Sequence, residues 1–509
     1  MKSVSERYLI DNTIKKGGDT MKNSSNKKAL LSIYGFFLLL PLAVQATIWH
    51  VDDDNLTGTQ QGSKIYPFNQ IQPAIKAAAQ GDTIRVAAGL YKENISINKR
   101  LNLIGGYPGG TGADYTNGNG GNFNNRDFTR HDSHVQAKRS DVAVLRLRGV
   151  QTGETQIDGL HFSGGLRGIE FNDTDWVGNK VTITNNFIEN NGMAAMPDHG
   201  GGMLVCCGNG HRLINNKIKN NHAGWGGGVF TNATLNLLFS KNTVTDNQGH
   251  WDHGGGLWFN GTGTIIGNLI YRNKVGHIQG YGWGGGLIVV GEGTDFIIRS
   301  NKIRSNYAYS IGGGIFIDEG AHAVLKNNLI VKNRVTEYGG AGIYVDGGGN
   351  EAETPDSPRS HVDIINCTIA HNTGGWVGGN GVYVQVSDVT VRNSIFWGNS
   401  PGDYGPDFFT LNSNATLAVG YTLSKQPYNG IGNIRKNPLF ADKLTNDYHL
   451  KSTAGRWDIA SRGWVADSEH SPAIDAGDPS SAYSSEPSPN GGRINLGYDG
   501  NTRQASQSQ

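Results

Sequence analysis

Two copies of Asp-His-Gly-Gly-Gly, beginning at Asp198-His199 and Asp252-His253, carry the residues of this 509-residue chain whose types and spacing best suit chemistry. They fall at matching points of a repeated phrase, two repeats apart, with Trp225 at the same point of the repeat between them. If repeats stack at the ~4.8 Å spacing of neighbouring strands, the two copies lie ~9.6 Å apart. Carboxylates separated by ~6.5–9.5 Å suit an inverting glycosidase, in which one protonates the leaving oxygen and the other activates water. Trp225 would hold the sugar ring. A lyase is the second chemistry: His253, His199 or a tyrosine would take the proton beside a uronate carboxylate, which a cation or an arginine would neutralise. The segments hold little Lys or Arg beyond Lys274 and Arg334, which counts against it. Zinc on His250, Asp252 and His253 is a third reading, and it matches no strong ligand spacing.

Rings surround these residues. The segments between repeats add His222, His250, Trp251, His277, Tyr281, Trp283, Tyr307, Tyr309, Tyr338 and Trp376. The residue before successive glycine clusters reads His199, Trp225, His253, Trp283, Ile311, Tyr338. Strand alternation turns a second stripe outward: Phe230, Trp258, Phe316, Tyr344 and Tyr383. Aromatic faces suit the C–H faces of sugars, and exposed apolar surface marks an interaction site. The expected catalytic set is therefore Asp198, His199, Asp252 and His253. The expected substrate-binding set is Trp225, His250, Trp251, Trp283, Tyr281, Tyr338, Trp258, Phe230, Phe316 and Tyr344. The structural alternative is that the excursions or the C-terminal cap cover the second stripe and make it buried packing.

The element that must position these residues is a repeat running from about Ile183 to Asn399, with a period of about 26 to 30 residues, as in a stacked solenoid. Its clearest copy is Asn301-Lys-Ile-Arg-Ser-Asn306 followed by Gly312-Gly-Gly-Ile-Phe-Ile317. Aligned copies give three apolar ladders: Ile183 through Val391, Ile188 through Phe396, and Met203 through Val382. A column of Asn runs through Asn191, Asn221, Asn247, Asn273, Asn306, Asn333, Asn372 and Asn399. Asn tolerates left-handed corners, and stacked amides can bond from coil to coil. The glycines serve sharp turns and are not phosphate loops, since no strand-to-helix step follows them.

The rest of the chain divides into 1–46, an N-terminal extension with an export signal; 47–106, a capping segment and first coil; 107–150, a surface excursion with a return strand; 151–400, the coils; and 401–509, a closing cap. Lys22, Lys27 and Lys28 precede the apolar run Ala29 to Leu42, with Ala46 beyond it, which reads as a cleaved signal with Met21 as the true start. Ile71, Ala74, Ile75 and Ala78 predict a short helix over the solenoid's open end. Asp52-Asp53-Asp54 reads as a solvated turn, and Cys206, Cys207 and Cys367 as small buried side chains without a disulfide.

Gly81-Asp82-Thr-Ile-Arg-Val86, the Asn-and-glycine coils, and the series Asn437-Pro-Leu-Phe440, Asp447-Tyr-His-Leu450, Ser471-Pro-Ala-Ile-Asp-Ala-Gly477 and Gly491-Gly-Arg-Ile-Asn-Leu-Gly497 together resemble secreted bacterial right-handed parallel β-helix proteins of the pectin-lyase-like class. The resemblance covers nearly all of the chain beyond the signal. It implies an all-β, single-stranded right-handed parallel β-helix and a polysaccharide or surface glycan as partner. That architecture carries lyases, hydrolases, epimerases and non-enzymatic proteins, so a non-catalytic adhesin or structural solenoid stands as the alternative. The expectation is a monomer that is secreted, periplasmic or on the cell surface, without membrane insertion after cleavage. With a formal net charge of +1, nothing argues for nucleic acid, whose backbone needs a concentrated basic surface. No cofactor is evident, and a divalent cation such as calcium stays open.

Overall fold

The computed structural model describes residues 46–149, 153–172, 179–276, 281–348, 358–399, 406–411 and 414–508. These belong to one unit, Ala46–Gln509. The expected export signal and its alternative start lie outside the described residues, as does His277. Among the described residues no helix is long and apolar enough to cross a membrane.

The chain winds as a parallel solenoid whose strands form sheets of 22, 12 and 6 strands. Pairing is parallel and in register from coil to coil, so Ile183 meets Leu213, Leu213 meets Phe239, and Phe239 meets Ile265. The three aliphatic ladders fill the interior: Met203, Val229, Leu257, Leu287, Ile315, Ile343 and Val382 are all fully buried. Alternation supplies the rule, because every second side chain of each strand points inward.

Each Asn of the expected column is buried, and its Nδ2–H donates to Oδ1 of the next at 2.9–3.0 Å, from Asn191 through Asn399. A second column runs Asn186, Asn216, Asn242, Asn268, Asn301, Asn328. Cys367 takes the next place in it, and its Sγ accepts from the Asn328 N–H at 3.4 Å. The left-handed corner falls on the residue before each ladder Asn, as at Asn190, Asn220, Asp246 and Arg272. The reading of Asn as the corner residue is thus corrected. The corner residue stays outside, while the ladder Asn turns its amide into the core.

The first coils hold the expected helix and differ from expectation in two ways. The helix Ile71–Ala77 buries Ile71, Ala74 and Ile75, and Glu93 accepts from the N–H groups of Ile71 and Gln72 at 2.7 and 2.9 Å. Asp52 is buried rather than solvated. It accepts from the Tyr115 hydroxyl and from Gly110 N at 2.8 Å. Residues 107–150 are not one surface excursion: Tyr115 and Phe123 are buried, and Ser133–Gln136 is a strand between Gly89–Lys92 and His161–Ser163. Cys206 and Cys207 are half-buried, and only Cys367 is fully buried.

The C-terminal region lies along the flank of the last coils rather than only across their end. Tyr448 packs on Leu329, Val331 and Ala370, and Leu450 and Ile474 pack with Ile395 and Leu423. Asn327 Nδ2–H donates to the carbonyls of Tyr498 and Gly500 at 2.9 and 2.8 Å. The outer face of the 12-stranded sheet explains the change, passing from Lys217 and Lys219 to Leu329 and Val331 at the same strand positions.

Candidate functional site

The segments between the ladder Asn and the glycines do stack along one edge. Successive pairings join His199 to Trp225, His253 to Trp283, Trp283 to Ile311, and Ile311 to Gly339. Gly226 N–H completes the series by donating to His253 O. The first glycine after each of these residues is left-handed, as at Gly200, Gly226, Gly254, Gly284, Gly312 and Gly340, a conformation that favours glycine. In this alignment Gly339 takes the column position. Tyr338 falls one residue earlier and projects outward, 47% exposed, beside Trp376 at a ring separation of 5.2 Å.

Asp252 is the most heavily engaged group of the edge. Its Oδ1 accepts from Trp225 Nε1–H at 2.8 Å and faces His253 Nδ1 at 3.1 Å. Burial pushes its carboxyl up, but His253 and the Trp225 N–H outweigh burial and bring it down to about 2. Asp252 is therefore ionised at any working pH. His253 Nδ1 is buried and makes no hydrogen bond, so its link to Asp252 is one of charge and proximity. Trp225 and His253 are also in ring contact at 4.9 Å.

Asp198 lies two coils away at the matching position, exposed, with its backbone carbonyl accepting from Trp225 N–H at 2.8 Å. His199 contacts Trp225 and Phe230 at ring separations of 5.2 and 4.5 Å. Burial lowers its imidazole below the usual value, with Asp198 opposing and Arg167 assisting. His222 and His250 are joined directly, Nδ1 to Nε2, at 2.9 Å, and both are lowered, chiefly by burial. Trp251 lies against Gly224, where a Cβ would come within 2.5 Å of its ring, so this small residue seats the indole. Tyr281, 57% exposed, is free to meet solvent.

The second aromatic stripe is a correction. Phe230, Trp258, Ile288, Phe316, Tyr344 and Tyr383 stand in register on consecutive coils. Phe230, Phe316, Tyr344 and Tyr383 are buried, however, and Trp258 is half-buried. The ring column folds over the stripe: Trp283 and Ile311 pack with Ile288, Phe316, Tyr344 and Tyr383 as one outer apolar cluster. Alternation places these rings outside the solenoid, and the turn segments then shield them from water. Phe230, Phe316 and Tyr344 are packing residues rather than a glycan platform.

Sequence reasoning missed a cationic group beside the column. Glu170 holds Arg167 at 3.1 Å, Arg146 at 3.3 Å and Arg148 at 3.8 Å, so three guanidiniums share one carboxylate. Arg167 Nε–H also donates to His199 O at 2.8 Å, which joins this cluster to the edge. Its signal was Leu145-Arg-Leu-Arg148, whose alternation turns both arginines outward. Elsewhere, Asp318 and Asp346 follow one another at the ends of adjacent strands. Burial, with Asp346 beside it, raises Asp318 well above the usual carboxylate range.

The family description "Right handed beta helix region" matches residues 111–303, 228–357 and 281–419, and "Disaggregatase related" matches residues 407–477. No curated protein matches the chain. Among solved structures the chain is similar to pectate lyase Pel9A, at 13% identity over 89% of this chain and 96% of the other, with a TM-score of 0.44. It is similar to XylC in complex with xylose, at 11% identity over 77% and 87%, with a TM-score of 0.38. A mutant of DFA-IIIase from Arthrobacter chlorophenolicus A6 in complex with DFA-III matches at 12% identity over 76% and 93%, with a TM-score of 0.27. On the extent of the family match and on its coil-by-coil parallel register, this chain belongs to the right-handed parallel β-helix family.

Proposed function

We propose that the protein is exported and engages an extended, acidic polysaccharide along the turn edge, with Asp252 and His253 as its proton-transfer couple. The observation that carries this reading is the Asp252 carboxylate held between Trp225 Nε1–H and His253 Nδ1 in the middle of a column of rings. In that role Asp252 stabilises the ring when it is charged. His253 then removes the proton from the sugar carbon beside a carboxylate; its electron pair forms a C=C bond as the glycosidic C–O bond on the next carbon breaks, and the departing oxygen takes a proton from water. Arg167, paired with Glu170 and donating to His199 O, brings positive charge to the column about three coils (~14 Å) from His253, which favours an acidic polymer lying along the edge.

The same geometry argues against Asp252 as the protonated acid of an inverting hydrolase, since a general acid needs its pKa raised rather than lowered. The test is incubation with a panel of neutral and uronate polysaccharides, following ultraviolet absorbance and new reducing ends together. Both signals on a uronate polymer support the proposal. Reducing ends alone indicate hydrolysis and sink it. Neither signal, with retention on a glycan gel, indicates a binder of the adhesin kind.

A further inference from the structure

A second group of chemically active side chains lies on the 12-stranded sheet, away from the column of rings. His134 and His161 stand opposite each other on adjacent strands, with rings stacked at 3.8 Å and 4°. An oxygen of Asp132, one nitrogen of His134 and one of His161 all lie within 4.8 Å of one another. His161 is more than nine-tenths buried, and both of its nitrogens face carboxylates: Nδ1 lies 3.1 Å from Asp132 Oδ2 and Nε2 3.5 Å from Glu189 Oε1. Nε2 is also buried without a hydrogen-bond partner.

A neutral imidazole carries a single N–H. With the proton on Nε2, the ring suits Glu189 but points the Nδ1 lone pair at the Asp132 carboxylate. A cation between Nδ1 and Asp132 removes that conflict, and a carboxylate on the far nitrogen is the usual outer support of a metal-bound histidine. Ser163 Oγ, 2.7 Å from His134 Nε2, fixes the second ring.

We infer that Asp132, His134 and His161 form a binding site for a divalent transition metal of the zinc type, completed by solvent and supported by Glu189. Two imidazoles and one carboxylate suit zinc, whereas calcium takes oxygen ligands. Ligand atoms around zinc sit about 3.4 Å apart, given bonds of about 2.1 Å, and a metal lies in the plane of each imidazole it binds, so one of the two stacked rings must turn out of the stack to close the site while the paired strands stay fixed. The metal would clip the coil of Ser133–Gln136 to the coil of His161–Ser163.

The test uses untagged full-length chain stripped with chelator and titrated with zinc, then with calcium, by calorimetry and thermal melting. One equivalent of zinc should bind and raise the Tm, and calcium should do neither. His161→Ala and Asp132→Asn should each weaken zinc binding at least tenfold, Glu189→Gln about tenfold, and His253→Ala not at all. If His161→Ala does not fold, Asp132→Asn and His134→Ala decide. Absence of saturable zinc binding in the wild type would overturn the site and leave these side chains as packing and hydrogen-bonding groups only. Unchanged affinity in Asp132→Asn and His134→Ala would overturn the site equally.

Discussion

Trp225 and Asp252 sit on adjacent coils, and the indole N–H of the first donates to the carboxylate of the second at 2.8 Å. This bond crosses between coils, so the position of Asp252 depends on the stacking itself as well as on its own loop. Replacing Trp225 by Phe keeps the ring and deletes the donor. Loss of a hydrogen bond to a charged group, worth about 1.5–3 kcal/mol, should cut turnover or affinity on an active polysaccharide roughly 10- to 100-fold. Initial rates on the substrate found by the panel measure this.

Asp252 also links stability to acid. Its folded pKa, about 2, lies below the ordinary 3.8, so its contribution is full above pH ~4 and is lost as pH falls towards 2. Because its side chain is 41% exposed, the effect should be only about 1 kcal/mol after allowance for solvent screening. Urea unfolding of wild type and Asp252→Asn should therefore differ at pH 5 and converge near pH 2.

Glu486 runs the opposite way. Burial raises its carboxyl to about 7, against its N–H donors Asn495 and Asn501. The folded state then binds the extra proton between pH ~4.5 and ~7, and stability falls as pH rises through that window. Glu486→Gln, which keeps the accepting oxygen, should lose this dependence and gain up to about 3 kcal/mol over wild type above pH 7. Denaturant midpoints at pH 5 and 8 check it.

The two sets of rings should separate cleanly. Phe316→Ala deletes a buried ring and should cost about 3–5 kcal/mol of stability. Trp376→Ala, at a residue 73% exposed, should leave stability within about 0.5 kcal/mol and act only on glycan retention. Equal melting temperatures for the two variants would contradict the packing described for the stripe.

Asn247→Ala tests the ladder. The Asn247 amide accepts from Asn221 N–H and Nδ2–H and donates to Ile218 O and Asn273 Oδ1. Its loss leaves buried partners unpaired and should destabilise the chain by about 2–4 kcal/mol, read as a shift in urea midpoint.

The coils were legible in the sequence because stacking repeats each demand at a fixed place, so Ile188, Ile218 and Val244 announce one another. The fate of Phe316 was not legible. Alternation tells which side of a strand a ring leaves from, but not that Trp283 and Ile311 will lie over it. Asp132 and His134 escaped notice because their coil precedes the regular repeats and joins the sheet after an aperiodic stretch. The Arg146 cluster needs Glu170, from another coil, before its charge pattern has meaning. For Asp198 and Asp252, spacing gave equivalent positions, while the difference between them depends on Trp225, whose indole reaches only Asp252.

The amide column runs one way. Each Asn gives its N–H to the following coil, and the last, Asn399, gives to Asp407, an acceptor with nothing to pass on. The stack thus has a direction and a terminator, like a sentence with its full stop. Whole coils ahead of the flank covered by the C-terminal region can be spliced in or out without breaking the chain of donors. Trimming from the C-terminal end does break it, because any cut before Asp407 strands a buried amide.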